Sequence, residues 1–207
     1  MPQLSSYSKP LVSSARTDAS TPDLVLVTRA QRGDGDAFSV LLTRYRDRIF
    51  TTLYGLTGDR DISEDLLQDV SLKAHLSMGR FRGDSQFYTW LYRVAVNRWK
   101  DWRISMGRRR EDVLDEVVER TPGSHRADAG VENAELRELL GQALQELPDM
   151  WRQAVVLREI DGLTYEEIAQ VLSCSIGTVK SRLFRARGML RDILIRDHHE
   201  FQHGSYL

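Results

Sequence analysis

Cysteine is nearly missing: Cys174 is the only one in 207 residues. No intrachain disulfide can form, and no cysteine-based metal cluster can be built. A reducing, cytoplasmic setting is expected. Proline is scarce as well, five in the chain, and long stretches hold neither proline nor glycine, which favours helices. No apolar run is long, Leu24 to Val27 being typical, so neither a membrane span nor direct membrane insertion is expected. The first 22 residues have almost no large apolar side chains and no apolar h-region, so no secretory signal is expected. Strand alternation and internal repeats are also lacking. A length of 207 residues suits one or two small domains rather than a large enzyme barrel. With 41% apolar and 29% charged residues the balance is that of a globular chain, which excludes wholesale disorder.

Net charge is small too, −1, but its distribution is uneven. Residues 80–110 hold 9 basic against 2 acidic side chains, a local +7. Residues 111–140 hold 3 against 9, and residues 141–174 hold 2 against 6. Residues 175–191 hold 5 basic side chains and no acidic one. Two basic blocks separated by acidic ones suggest two nucleic-acid surfaces on different modules. The plainer alternative for any one block is a solvated helix face.

The periodicity divides the chain. Residues 1–22 read as a flexible Ser-, Thr- and Pro-rich tail. From Asp23, Phe38, Leu41, Leu42, Tyr45, Ile49 and Leu53 recur at helical spacing. Gly55, Gly58 and Asp59 are expected to break that helix, and Ser63 to cap the next, whose stripe is Leu67, Val70 and Ala74. A loop follows between Gly79 and Gly83, then a helix from about Gln86 to Arg103. Residues 104–130 lose periodicity and read as a linker. Leu136, Leu139, Leu140, Ala143, Leu144 and Leu147 then form a stripe ending at Pro148, with a new helix from Asp149. The expected fold is all-α: helical domains at 23–103 and 131–195, a flexible linker at 104–130 and a C-terminal tail at 196–207.

The clearest local signal is a helix-turn-helix. Thr164-Tyr165-Glu166-Glu167 spells a capping box. Ile168, Ala169 and Leu172 supply a buried face, Ser173-Cys174-Ser175 the turn, and a second helix starts near Ile176. In it Ile176, Val179 and Leu183 share one face, while Thr178, Ser181, Arg182 and Arg185 share another without a carboxylate. Hydroxyls and guanidiniums opposite a buried stripe suit the major groove. A surface helical hairpin without a ligand is the alternative. Cys174 reads as a small turn residue facing the core.

Residues 81–103 carry seven aromatic side chains, Phe81, Phe87, Tyr88, Trp90, Tyr92, Trp99 and Trp102, interleaved with Arg93, Arg98, Lys100 and Arg103. Flat faces beside cations suit unstacked single-stranded bases. Phe87, Trp90 and Leu91 are expected to be core instead. Phe81 has less packing reason to be aromatic, because it lies in a loop.

The string FRGDSQFYTWLYRVAVNRWKDW resembles the promoter-melting region of extracytoplasmic-function (ECF) sigma factors. DISEDLLQDVSLKAH at 61–75 resembles their polymerase-binding helix, and EIDGLTYEEIAQVLSCSIGTVKSRLFRARGML at 159–190 resembles their C-terminal helix-turn-helix. The three stand in the family's order and the likeness covers about Asp23–Arg103 and Val131–Asp192, closest to the sigma-E-like branch.

The resemblance implies a promoter-specificity subunit, not an enzyme, without cofactor or metal. Asp65, Leu66, Gln68, Asp69 and Leu72 match positions that dock on the clamp helices of the largest subunit of core RNA polymerase. Phe81, Tyr92 and Asn97, with the cations Arg98 and Lys100, match the surface that holds the −10 element as a separated strand. Arg158, Ser175, Thr178, Lys180, Ser181, Arg182, Phe184 and Arg185 match the surface that reads the −35 element of promoter DNA as duplex. An anti-sigma factor, often membrane-anchored in the family, is a further implied partner. Many relatives carry Pro in place of Ser175 and Arg in place of Lys180, which replaces a bidentate guanine contact with a point charge.

Two other functions compete with this reading. A stand-alone operator-binding regulator would leave the aromatic–basic helix idle. An enzyme would need a phosphate loop, a metal-ligand spacing or a nucleophile–base pair, and none is found. His198, His199 and His203 near the end read as incidental.

Overall fold

A computed structural model describes residues 20–112 and 131–204. The expected N-terminal tail up to residue 19, and the linker from 113 to 130, lie outside them. Among these residues there are eight α-helices: α1 Asp23–Gln31, α2 Gly35–Thr57, α3 Arg60–Ser77, α4 Phe87–Asp112, α5 Val131–Glu146, α6 Asp149–Val155, α7 Tyr165–Leu172 and α8 Ile176–Gly204. A 3₁₀ turn, Met78–Arg80, precedes the loop before α4, and a π-helical turn, Val156–Ile160, follows α6. No strand occurs among the described residues.

Local chemistry sets most boundaries. Asp34 caps α2 by accepting from the Ala37 amide at 3.1 Å. Asp59, not Ser63, caps α3, accepting from the Ile62 amide at 2.9 Å. Ser63 is buried and its hydroxyl donates to the Asp59 carbonyl at 2.5 Å. Gly55 does not interrupt α2, which runs on to Thr57 and ends at Gly58 in the left-handed conformation (φ 70°). A glycine at C′ takes that conformation without a Cβ penalty, so the stop belongs to Gly58. Helix α4 continues past Arg103 to Asp112, and α8 continues to Gly204.

Helices α1–α4 pack as one bundle around Leu41, Leu53, Val70, Leu91 and Trp99. Helices α5–α8 pack around Leu147, Leu157, Ile168, Val179 and Leu183. The two groups also meet: α7 lies against α4, and α5 and the π-helical turn lie against α2. In the expected α8 stripe, Val179 and Leu183 are buried but Ile176 is 39% exposed. Ala186 and Ile193 continue the buried side instead, because Ile176 opens the helix ahead of the packed turns. Leu140 likewise faces outward from the α5 stripe.

Candidate nucleic-acid interface

The helix-turn-helix is built as its sequence reads. The Thr164 hydroxyl accepts from the Glu167 amide at 3.2 Å, and Glu167 accepts from the Thr164 amide at 2.8 Å. Ser173 turns the chain at φ 53°, and the Cys174 amide bonds back to the Ala169 carbonyl at 3.0 Å. Cys174 packs against the core. Ser175 caps α8, its hydroxyl accepting from the Thr178 amide at 3.1 Å. Beyond it Ser175, Lys180, Ser181, Phe184 and Arg185 are exposed. Thr178 is half-buried, and so is Arg182, which reaches the Cys174 sulfur at 4.0 Å. Arg158 donates to the Leu163 carbonyl at 2.7 Å and lies 5.1 Å over the Tyr165 ring.

On α3, Asp65, Gln68, Leu72 and Leu76 form an outward row, Leu72 59% and Leu76 74% exposed. Leu66 is buried, so it orients the helix and cannot itself touch a partner. Asp69 is engaged by Arg98 of α4 at 2.5 and 2.9 Å. One residue expected at the docking face and one expected at the −10 face are thus a single ion pair. Beside this row a hollow of about 410 Å³ opens between α2 and α3, with Arg46, Glu64, Gln68 and Ser71 among its lining residues.

The aromatic side chains of residues 81–103 are mostly core. Phe87, Trp90 and Leu91 are buried as expected. Phe81 is buried as well, 5.2 Å from Trp90 and 6.1 Å edge-on to Phe87. A loop residue gains packing here because the Gln31 side chain draws its carbonyl inward at 2.5 Å. Tyr92 is fully buried. Neither ring is presented to a base in this arrangement. Asn97 is exposed, and Arg98 and Lys100 are half-buried.

What covers Tyr92 was not legible in the sequence. Its hydroxyl donates to the Asp161 carboxylate at 3.1 Å, and Thr52 donates to the other carboxylate oxygen at 2.9 Å. Arg48 lies 5.8 Å over the Tyr92 ring and donates to the Asp161 carbonyl at 3.1 Å. Burial pushes the Asp161 carboxyl up to about 6, against the lowering effect of the Thr52 and Tyr92 hydroxyls and Arg48. Tyr88 donates to Glu167. Burial raises Glu167, but that bond and the Thr164 amide outweigh it and hold the carboxyl below its usual range. Arg103 pairs with Asp149 at 3.2 Å. Arg152, 4% exposed, donates to the Leu56 carbonyl of α2 at 2.9 Å. These partners lie 46 to 113 residues apart in the chain, beyond any periodicity signal.

Among the described residues no group of three or more His, Cys, Asp or Glu side chains is placed to hold a metal. Among them, too, no helix is long and apolar enough to cross a membrane.

Comparison with known proteins bears on the whole arrangement. The family model described as Sigma-70 region 2 matches residues 41–110, and that described as Sigma-70, region 4 matches residues 137–190. The ECF RNA polymerase sigma-E factor of Escherichia coli K12 is 40% identical over 173 residues, 80% of this chain and 90% of that protein. The protein of the same name from Haemophilus influenzae is 41% identical over 178 residues, 82% and 94% of the two chains. Among solved structures, the sigma factor RpoE in complex with the anti-sigma factor NepR from Bartonella quintana aligns with a TM-score of 0.67. It is 29% identical and covers 76% of this chain and 96% of that one. CnrH in complex with the cytosolic domain of CnrY aligns at 0.65 and 26% identity, covering 87% and 99%. A chain whose α2–α4 bundle matches region 2, whose C-terminal helices match region 4, and which keeps this identity across both belongs to the ECF sigma factors, a family of transcription initiation factors and not of enzymes.

Proposed function

We propose that this chain, acting in the cytoplasm, binds core RNA polymerase through α3 and directs it to promoters whose −10 element it reads as a separated strand and whose −35 element it reads as duplex. The observation that carries the reading is the exposed side of α8. Ser175, Lys180, Ser181, Phe184 and Arg185 stand there with no carboxylate among them, opposite buried Val179 and Leu183. Such a helix fits a major groove and is repelled by nothing of its own. Ser175 holds the N-terminus of α8, so its hydroxyl serves the helix first and any phosphate second. Arg158 braces the turn before α7 through the Leu163 carbonyl and joins the −35 surface from that position.

For docking, the outward row Asp65, Gln68, Leu72 and Leu76 offers apolar contact with a carboxylate at one end, suited to a basic helical surface such as the polymerase clamp helices. For the −10 strand, Asn97 is the exposed reader, with Arg98 and Lys100 for the backbone and Phe81 and Tyr92 as the aromatic floor behind them. Region 2 of this reading spans residues 23–103 and region 4 residues 131–195. An anti-sigma factor as inhibitor is supported by the relative solved with NepR.

Run-off transcription tests the reading. Core polymerase with this chain should start at a defined subset of a promoter library, and core alone should not. Identical start sites with and without the chain would refute it.

A further inference from the structure

Arg98 is grouped with Lys100 as a backbone cation by the strand reading, but the two side chains differ. Among the described residues the ion pairs of α4 are Arg98–Asp69, Lys73–Asp101 and Arg103–Asp149, the last across the seam between the two helical groups. Arg93 and Lys100 enter none of them. Arg93, Asn97 and Lys100 stand at spacings of four and three, so they share one side of α4. Arg98 stands about 100° round the helix from Asn97, toward Asp69 of α3.

The bonds to Asp69 have a particular shape. Nε and Nη2 of Arg98 both donate to the Oδ2 oxygen, at 2.9 and 2.5 Å. They use the side edge of the guanidinium. A guanidinium has five N–H donors in one rigid plane, so three remain, two on Nη1 and one on Nη2. One hydrogen from each of these nitrogens forms a second, parallel fork at the tip. Among the described residues nothing accepts from Nη1, and the side chain is 33% exposed. The tip fork is thus free and fixed in direction.

The carboxylate also changes what Arg98 can attract. In contact with the guanidinium, it cancels the cation at a distance and repels a phosphate that comes near. An ion pair this exposed adds little stability. Lys73–Asp101 already joins α3 to α4 one turn further along. What Asp69 supplies is orientation, since the guanidinium is ordered before any ligand arrives.

We infer that Arg98 determines base specificity in the separated strand, and that Asp69 is its positioning residue: the carboxylate cancels the charge that would draw a phosphate and aims the tip fork at a base edge with two adjacent acceptors. Guanine offers such an edge in O6 and N7, and an unpaired cytosine in O2 and N3. Adenine and thymine have none. Arg93 and Lys100, which no carboxylate meets, hold the phosphates beside Asn97. This rests on the reading of α4 as the strand-binding surface and sharpens it.

The test uses holoenzyme, with core polymerase saturating each variant. The probe is a labelled single-stranded −10 oligonucleotide from a promoter that the wild type selects. Each position is varied through the four bases, and binding is titrated across salt. At one position wild type should favour guanine or cytosine over both adenine and thymine by about tenfold. The same panel shows which of the two is taken. Arg98→Lys keeps the charge balance with Asp69 but has no fork. It should erase the preference and leave the salt slope unchanged. Asp69→Asn should cut the preference several-fold and steepen the slope by about 0.7 unit, the share of one unmasked cation on a single strand. Asp69→Glu should return both toward wild type. Arg93→Ala should do the reverse of Arg98→Lys, weakening every base alike and lowering the slope by about 0.7 unit.

A preference that survives Arg98→Lys would make Arg98 a point charge and overturn the inference. Unchanged preference and slope in Asp69→Asn would reduce the pair to a clasp between α3 and α4, and overturn it as well. The underlying reading fails differently: wild-type holoenzyme would bind −10 and scrambled strands alike, which removes this inference with it.

Discussion

Asp161 shows what one side chain contributes to the seam. Its carboxylate faces Thr52 and Arg48 from α2 and Tyr92 from α4, with the Tyr88–Glu167 pair alongside. Its value rises from 3.8 to about 6 on burial. The packed arrangement of the two helical groups therefore holds a proton on Asp161 more tightly than a solvated carboxyl would. That contribution to the packing of the two groups is complete below about pH 4 and is lost as pH rises through about 6. Interdomain energy transfer across the seam should accordingly increase as pH is lowered from 7 to 5, and Asp161→Asn should flatten the dependence. A wild-type profile without slope in that window would assign the burial energy elsewhere. The same scale separates Arg185 from Lys180 on α8. Arg185→Ala should cost roughly 1–3 kcal/mol on a matched −35 duplex if its fork reads a base. Lys180→Ala should weaken matched and scrambled duplexes alike and lower the salt slope by about one unit. Titrations of both variants across salt decide between the two behaviours. Of these residues, only Lys180 and Arg185 were legible beforehand, because helical spacing assigns a side chain to a face. Asp161 reads in sequence as an ordinary loop acid, and its partners at 52 and 92 carry no periodic signal toward it.

Elements were legible where chemistry is local. The capping box of α7, the αL turn at Ser173 and the cap of α8 depend on residues within five positions of one another. Thr164→Ala should cost about 1 kcal/mol of C-terminal domain stability, measurable as a shift in the urea midpoint at unchanged slope. The break expected at Gly55 does not occur, because helix propensity carries nothing about Val156 and Ile160, the distant neighbours that crowd a side chain there. Phe81 misled for a related reason, since a loop can fold its aromatic into the core when a distant side chain, here Gln31, holds the backbone. On α3 the distinction between Asp65 and Asp69 matters for design. Asp65 is exposed, so Asp65→Arg should reduce affinity for core polymerase and leave the melting curve unchanged. Asp69→Arg would set a cation against Arg98 and lower stability, confounding any docking measurement. Equal core affinity for Asp65→Arg and wild type would remove this row from the docking surface.

At the scale of the whole molecule, composition predicted two helical units but said nothing of how they face one another. Arg152 makes one of the contacts between them, and it also donates to the Gln145 side chain at 2.7 Å and to the Gln145 and Leu147 carbonyls at 2.8 and 3.0 Å within its own domain. Only the Leu56 carbonyl belongs to the other side. When the domains part, the guanidinium keeps three of its four acceptors, and water replaces one. The network around Arg152 therefore belongs to the C-terminal helices themselves. The C-terminal helices thus keep this polar anchor whatever they lie against, and any surface that takes the place of α2 need offer only one carbonyl to complete it.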